Sequence, residues 1–183
     1  VLSRDAHLGT KWPTIAQRLR EAGYRTVAFS TNPNVLPFWG FAPGFDGTYV
    51  EANAISPERM RRIAGLGPRI VDGSIIAAKG INLYLAGTGA EEVAELFAGS
   101  EVTAIPIGEK IGAASALKMA FGGWNKIGIA LTSQAHSIAK AYGVDDRLEA
   151  EGVPADRLQW VADRAWRWAP EMEEIADMCA ELG

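Results

Sequence analysis

The chain of 183 residues has one cysteine, Cys179, and two histidines, His7 and His136. A single thiol excludes an internal disulfide framework and fits a reducing compartment, so the expected location is cytoplasmic. The histidines lie far apart, with no cysteine or carboxylate at ligand spacing beside them, which excludes a zinc signature. No apolar run approaches the roughly 20 residues that span a bilayer, so no membrane partner is expected. Residues 1–10 contain no apolar stretch of the signal-peptide kind. A first residue of Val rather than Met is expected of a processed, trimmed or incomplete chain. Positive charge is not in excess. The net charge is -4, which excludes the basic surface that nucleic-acid binding needs. The sequence has no Gly-x-Ser-x-Gly elbow and no Walker phosphate loop. It also has no Gly-x-Gly-x-x-Gly fingerprint. The nearest approaches, Gly65-Leu66-Gly67 and Gly87-Thr88-Gly89, carry Ile70 and Glu92 where the third glycine belongs, and both read as turns.

What is present is the composition of a globular chain, 48% hydrophobic and 22% charged, long enough to bury a core. Pro13, Ile15, Ala16, Leu19 and Ala22 mark a helix that Gly23 closes. Residues 24–30 form a β-rich run. Residues 31–47 mix proline, glycine and aromatics and read as an irregular loop. From Tyr49 onward the pattern is regular. A strand over 49–53 precedes a helix start at Ser56-Pro57-Glu58, with Ser56 as cap. Strands are expected over 69–76, 82–86 and 102–107, with a helix over 90–98. Strands alternating with helices imply a mostly parallel sheet. Beyond Gly112 the chain turns all-helical. One helix of about 30 residues covers 113–142. The Asp145-Asp146 pair marks a helix N-terminus, a further helix spans 154–168, and Pro170 starts the last. Trp160, Trp166 and Trp168 are expected as core or interface anchors. No internal repeat or low-complexity segment is present.

Five segments in order, YVEANAISPERMRRIA, VDGSII, LYLAGTGAEEVAELF, GAASALKMAF and AWRWAPEMEEIA, resemble the 6-phosphogluconate dehydrogenase-like, or β-hydroxyacid dehydrogenase, superfamily. The resemblance covers about residues 49–183. It implies a partial Rossmann-like α/β half over 49–110 and a helical C-terminal domain over 111–183, with the boundary near Gly108 to Gly112. Residues 1–48, through WPTIAQRLREAGYRTVAFSTNPNV and GFAPGFD, instead resemble a core segment of the sulfatases. That segment lacks the Cys-x-Pro-Ser-Arg nucleophile motif and the acidic metal cluster of that family. The expectation is a chimera, with the sulfatase-like piece standing where the first strands of a nucleotide domain would lie.

The resemblance also assigns residues. Lys118, within Gly112-Ala113-Ala114-Ser115-Ala116-Leu117-Lys118-Met119, occupies the position of a catalytic lysine. It would act as general acid and base on the substrate hydroxyl while hydride moves to or from a nicotinamide. Proton transfer at neutral pH favours a lysine whose pKa burial and a nearby cation depress. Ser115, Lys118, Gly122 and Asn125 share one helix face by spacing, and Lys126 lies close to it as a second cation. The family places an asparagine four residues after the lysine, where this chain has Gly122. Asn125, one turn on, is the candidate substitute. In the DGSIIAA motif, Ile76-Ala77-Ala78 stands where the family has Ser-Gly-Gly. Backbone donors at Ile76 and Ala77 could still meet a substrate carboxylate, although the hydroxyl is gone. Asn53 takes the place of a residue near the nicotinamide ribose. The competing readings are a lysine snorkelling from an amphipathic helix, a plain strand end, and a turn asparagine ahead of a helix cap.

Three functions compete. The first is an NAD- or NADP-dependent dehydrogenase lineage acting on a small hydroxy acid, with an incomplete cofactor site that leaves cofactor binding open. The second is a non-catalytic module that assembles as a homodimer through its helices. The third is a sulfatase-type hydrolase fragment, ranked last because its nucleophile motif is missing.

Overall fold

The computed structural model describes residues 13–30, 44–45, 49–51, 56–65 and 70–183. Asn53 and most of the 31–47 loop lie outside them. The chain forms two compact units, Val1–Lys118 and Met119–Gly183, and the division falls inside the long helix.

In the first unit, helix α1 (Ile15–Glu21) begins with Thr14 as its cap, not with Pro13. The Thr14 hydroxyl accepts from the Gln17 amide at 3.1 Å, and the Gln17 side chain answers the Thr14 amide at 2.6 Å. This reciprocal pair satisfies two amides of the first turn. Strands β1 (Ala28–Ser30) and β2 (Tyr49–Glu51) follow, then helix α2 (Pro57–Ala64). Strands β3 (Ile70–Ile76) and β4 (Ile81–Ala86), helix α3 (Ala90–Glu95) and strand β5 (Val102–Pro106) complete the unit. The strand expected over 24–30 is only its last three residues. The helix expected over 90–98 ends at Glu95, and three-residue turns then carry the chain to Gly99, at φ +78°.

The five strands lie in sequence order, β1-β2-β3-β4-β5. Three pairings are parallel and one, β3 with β4, is antiparallel. The reversal follows from the connection: 77–80 is too short for a crossover, and Gly80 takes φ +104° to close it. Each face of the sheet carries its own apolar cluster. Ala28, Met60, Ile63 and Ile70 pack on the α2 side. Val71, Leu83, Leu85, Ala90 and Val93 pack on the α3 side. Successive β3 side chains alternate between these faces, so Asp72, Ser74 and Ile76 share the face of Ile70.

Helix α4 (Ala113–Ala141) begins in the first unit and continues through the second. The second unit adds α5 (Asp145–Ala150), α6 (Leu158–Ala162), a 3₁₀ turn (Ala165–Trp168) and α7 (Ala169–Leu182). The single helix expected over 154–168 is thus two short pieces. Arg164, at φ -124° and ψ -15°, interrupts it, with its amide bonded three residues back to Val161 at 2.8 Å. Trp160 and Trp166 are exposed, so neither is a core anchor, while Trp168 is half-buried. His136 binds the Val153 carbonyl at 2.8 Å and tethers the α5–α6 connection to α4. An α/β sheet followed by an all-helical region with one long helix is therefore the architecture. Among the described residues, no helix is long and apolar enough to cross a membrane.

Candidate functional site

The first turn of α4 is where sequence-predicted residues meet. A helix start exposes amides with no internal partner, and a side chain just before the helix usually caps them. Gly112 holds that place and has no side chain. Its φ of +94°, with Pro57 Cβ 3.0 Å from where a Cβ would lie, accounts for the glycine. The cap comes instead from strand β3. One carboxylate oxygen of Asp72 accepts from the Ala114 amide at 2.9 Å and the Ser115 amide at 3.1 Å. The other accepts from the Ser115 hydroxyl at 2.6 Å. Asp72 and Ser115 are both fully buried. Burial pushes the Asp72 carboxyl above its ordinary value of 3.8, and the hydrogen bonds from Ser115, Ala114 and Gly112 only partly offset it.

One turn further along α4, the Lys118 ammonium donates to the backbone carbonyl of Ile75. The β2 ladder on β3 ends at Asp72 among the described residues, so β3 runs on past Asp72 along that edge. The lysine is directed at the end of a strand and is only partly exposed. Ile76 is buried, whereas Ala77 and Ala78 are exposed in the hairpin turn. Ser74, between Asp72 and Ile76 on the same face, has a buried hydroxyl with no hydrogen-bond partner among the described residues.

The remaining candidates lie in the second unit and have partners there. The Asn125 side-chain oxygen accepts from Arg157 at 3.0 Å. Lys126 pairs with Glu171 at 2.8 Å and lies over the Trp168 ring at 5.6 Å from its centroid. Gly122 is buried, and a Cβ there would meet the Glu171 carboxylate at 2.6 Å. The structure thus attaches Ser115 and Lys118 to strand β3 in the first unit, at Asp72 and at the carbonyl of Ile75, the residue before Ile76. It gathers Gly122, Asn125 and Lys126 around Glu171 and Arg157 in the second. Asp72 was missed as an individual site residue. Its sequence signal is an aspartate opening the strand-end motif, and its partner is 43 residues away.

A dinucleotide would need a place for its phosphates. Gly87 and Gly89 both have positive φ, at +109° and +96°, but they lead into the six-residue α3. The small pocket at this turn is lined by Glu91, Glu92 and Glu109. Glu92 is paired with Arg25 at 2.6 Å, and the Glu91 and Glu109 carboxylates beside the turn oppose a pyrophosphate. This turn therefore does not fit the phosphates of a nicotinamide dinucleotide. Among the described residues, no cluster of three or more histidine, cysteine or acidic side chains could hold a metal.

Residues 139–183 match a family described as a domain of unknown function, DUF1932. No curated protein matches the chain. Solved structures do. One is a conserved protein of unknown function described as structurally similar to 3-hydroxyacid dehydrogenases. It is 24% identical at TM-score 0.67, over 92% of this chain and 85% of that one. A conserved hypothetical protein from Sinorhizobium meliloti 1021 is 22% identical at TM-score 0.63, over 92% of this chain and 64% of that one. An imine reductase from Myxococcus stipitatus, solved with NADP+, is 21% identical at TM-score 0.52, over 79% of this chain and 57% of that one. The chain spans less than two thirds of the latter two. These likenesses establish a fold shared with dehydrogenase-like proteins. Matches covering 92% of the chain take in most of residues 1–48, and the sulfatase resemblance of that segment finds no support.

Proposed function

We propose that the chain is a β-hydroxyacid-dehydrogenase-type module that receives a small hydroxy acid at the β3–α4 junction. Lys118 supplies the cation and the exchangeable proton. The single observation that carries this reading is the seating of Lys118 against the Ile75 carbonyl, at the strand end where the resembled family receives its substrate. An ammonium there can take a substrate carboxylate or hydroxyl as a further acceptor. The acidic turn at Gly87 and the missing glycine fingerprint argue that these residues do not hold NAD or NADP by themselves. Turnover is therefore not expected of this chain alone. The test is a calorimetric titration with a short β-hydroxy acid, repeated with Lys118→Met, alongside a fluorescence titration with reduced nicotinamide. Saturable hydroxy-acid binding that Lys118→Met abolishes, without saturable dinucleotide binding, is expected. Hydroxy-acid binding that is absent, or unchanged in the variant, would refute the reading.

A second reading is favoured by one observation. Trp124, Ile127, Leu131, Ile138 and Tyr142 are large, apolar and exposed on α4. Trp124, Leu131 and Ile138 recur every seven residues, the spacing at which one helix presents a seam to another. The occupant that suits an uncharged, self-similar seam is a second copy of this chain. On this reading the helical region assembles a homodimer whether or not the β3–α4 junction binds anything.

A further inference from the structure

We infer that Asp72 is a positioning residue for Lys118, holding the lysine at the strand end through the first turn of α4. The inference rests on the reading of Lys118 as the functional amine, and deepens it by naming what sets its position. The geometry is a two-point attachment. Strand β3 grips α4 once through the Asp72 carboxylate, at Ala114 and Ser115. It grips again through the Ile75 carbonyl, at Lys118. Three residues separate the two grips on the helix, and three separate them on the strand. On a helix, positions three apart lie on one face, so Ser115 and Lys118 turn toward β3 together. A residue whose only use was to start the helix could sit locally, as Ser, Thr, Asp or Asn before the first turn. Here the local position must be glycine, because Pro57 crowds it and φ is +94°. The cap is therefore delegated to a carboxylate on the strand whose carbonyl the lysine touches. Capping and lysine placement become one interaction, and the carboxylate accepts burial to provide it.

Without the carboxylate, the amides of Ala114 and Ser115 and the Ser115 hydroxyl lose their buried acceptor. The first turn then frays or shifts, and the lysine one turn on loses its fixed approach to Ile75. An ammonium that donates to a carbonyl yields its nucleophilic, neutral form less readily than a released one. Lys118 should therefore become more reactive when Asp72 is changed, while lysines elsewhere should not.

The experiment is competitive labelling of the intact chain with trace acetic anhydride. Acetylation at Lys118 is read by mass spectrometry relative to Lys79 and Lys140, two exposed lysines of the same chain. Asp72→Asn keeps one acceptor oxygen and the volume. Ser115→Ala removes one hydrogen bond and leaves the carboxylate. The expected result is a rise in relative Lys118 labelling of at least threefold in Asp72→Asn and a smaller rise in Ser115→Ala, with Lys126 unchanged. If Asp72→Asn does not fold, Ser115→Ala carries the test. A folded Asp72→Asn, or a folded Ser115→Ala where that variant carries the test, with Lys118 labelling at the wild-type ratio overturns the inference. So does an equal rise at every lysine, which would mean general loosening. The readout needs no turnover and no ligand. A chain that binds no hydroxy acid can still pass it, which keeps failure of this inference distinct from failure of the proposed function.

Discussion

If the exposed α4 stripe pairs two copies of the chain, replacing Leu131 by aspartate should hold it as a monomer at concentrations where the wild type associates. The magnitude follows from exposure. Trp124 is 73% exposed, Ile127 48%, Leu131 66%, Ile138 55% and Tyr142 82%. At about 150–250 Å² for each large side chain, the stripe offers on the order of 650 Å² per copy, close to the ~800 Å² per partner of a standard interface. Leu131 contributes about 120 Å² of this, roughly 3 kcal/mol per copy at about 25 cal/mol/Å². A two-fold pairing counts every residue twice, so the loss is about 6 kcal/mol before the costs of association are taken off. If only a third of that survives as affinity, about 2 kcal/mol remains, a ~30-fold rise in Kd. Aspartate adds the penalty of burying two carboxylates near each other. Sedimentation equilibrium over a concentration series reads the outcome, with Ser137→Asp as a control. Ser137 is also exposed on α4, but it lies off the stripe by helical spacing. Circular dichroism confirms that each variant folds. A wild type that stays monomeric at every concentration refutes the reasoning, as does a Leu131→Asp protein that self-associates like the wild type.

Three further outcomes are expected. Asp72→Ala should destabilise the first unit by about 2–4 kcal/mol, the sum of a lost cap and an orphaned buried hydroxyl, read by urea unfolding. Its magnitude should depend on pH, because burial raises the Asp72 carboxyl in the folded state. The folded protein then binds a proton where the unfolded chain has released it. That contribution is full below the ordinary carboxylate value and is lost as pH rises through the raised native value. The wild type should therefore gain stability relative to Asp72→Asn on acidification through that window, and parallel pH curves would contradict the assignment. Gly112→Ala should cost about 2–4 kcal/mol, combining the left-handed backbone with crowding against Pro57; a thermal midpoint equal to the wild type would contradict it. Gly122→Asn, which restores the residue of the resembled family, should push the Glu171 carboxylate away from Lys126. A loss of about 1 kcal/mol, or roughly 2–4 °C in Tm, is expected, with no gain in hydroxy-acid affinity.

Signals that are local in sequence were the ones the sequence made readable. The alternation of apolar runs located β3, β4 and β5. The long uninterrupted pattern after Gly112 located α4 to within a residue of its end, because a helix of this length repeats its own evidence many times. Legibility failed where no period within the segment carries the outcome. The antiparallel β3–β4 pairing was hidden because four residues, 77–80, settle strand direction, and no period within either strand encodes it. The break at Arg164 was hidden because residues 158–168 keep helical composition across it. Exposure of Trp160 and Trp166 was hidden because the same large apolar side chain serves a core or an interface, and only its surroundings distinguish the two.

The β3–α4 junction shows the same limit at the scale of chemistry. Lys118 is legible because a motif of eight residues surrounds it. Asp72 is not legible as an individual, because its role spans the 43 residues that separate it from Ser115. Yet the clue was in plain view: a long helix whose preceding position is glycine has no local cap, and its free amides must find an acceptor elsewhere. An aspartate inside an otherwise apolar strand poses the converse problem, a carboxylate that must find donors. Each is unfavourable alone, and pairing them resolves both. Wherever a sequence holds both an uncapped helix start and an acid inside a strand, the two can be matched by their complementary needs, and the residue one turn into that helix becomes the first place to look for a held functional group.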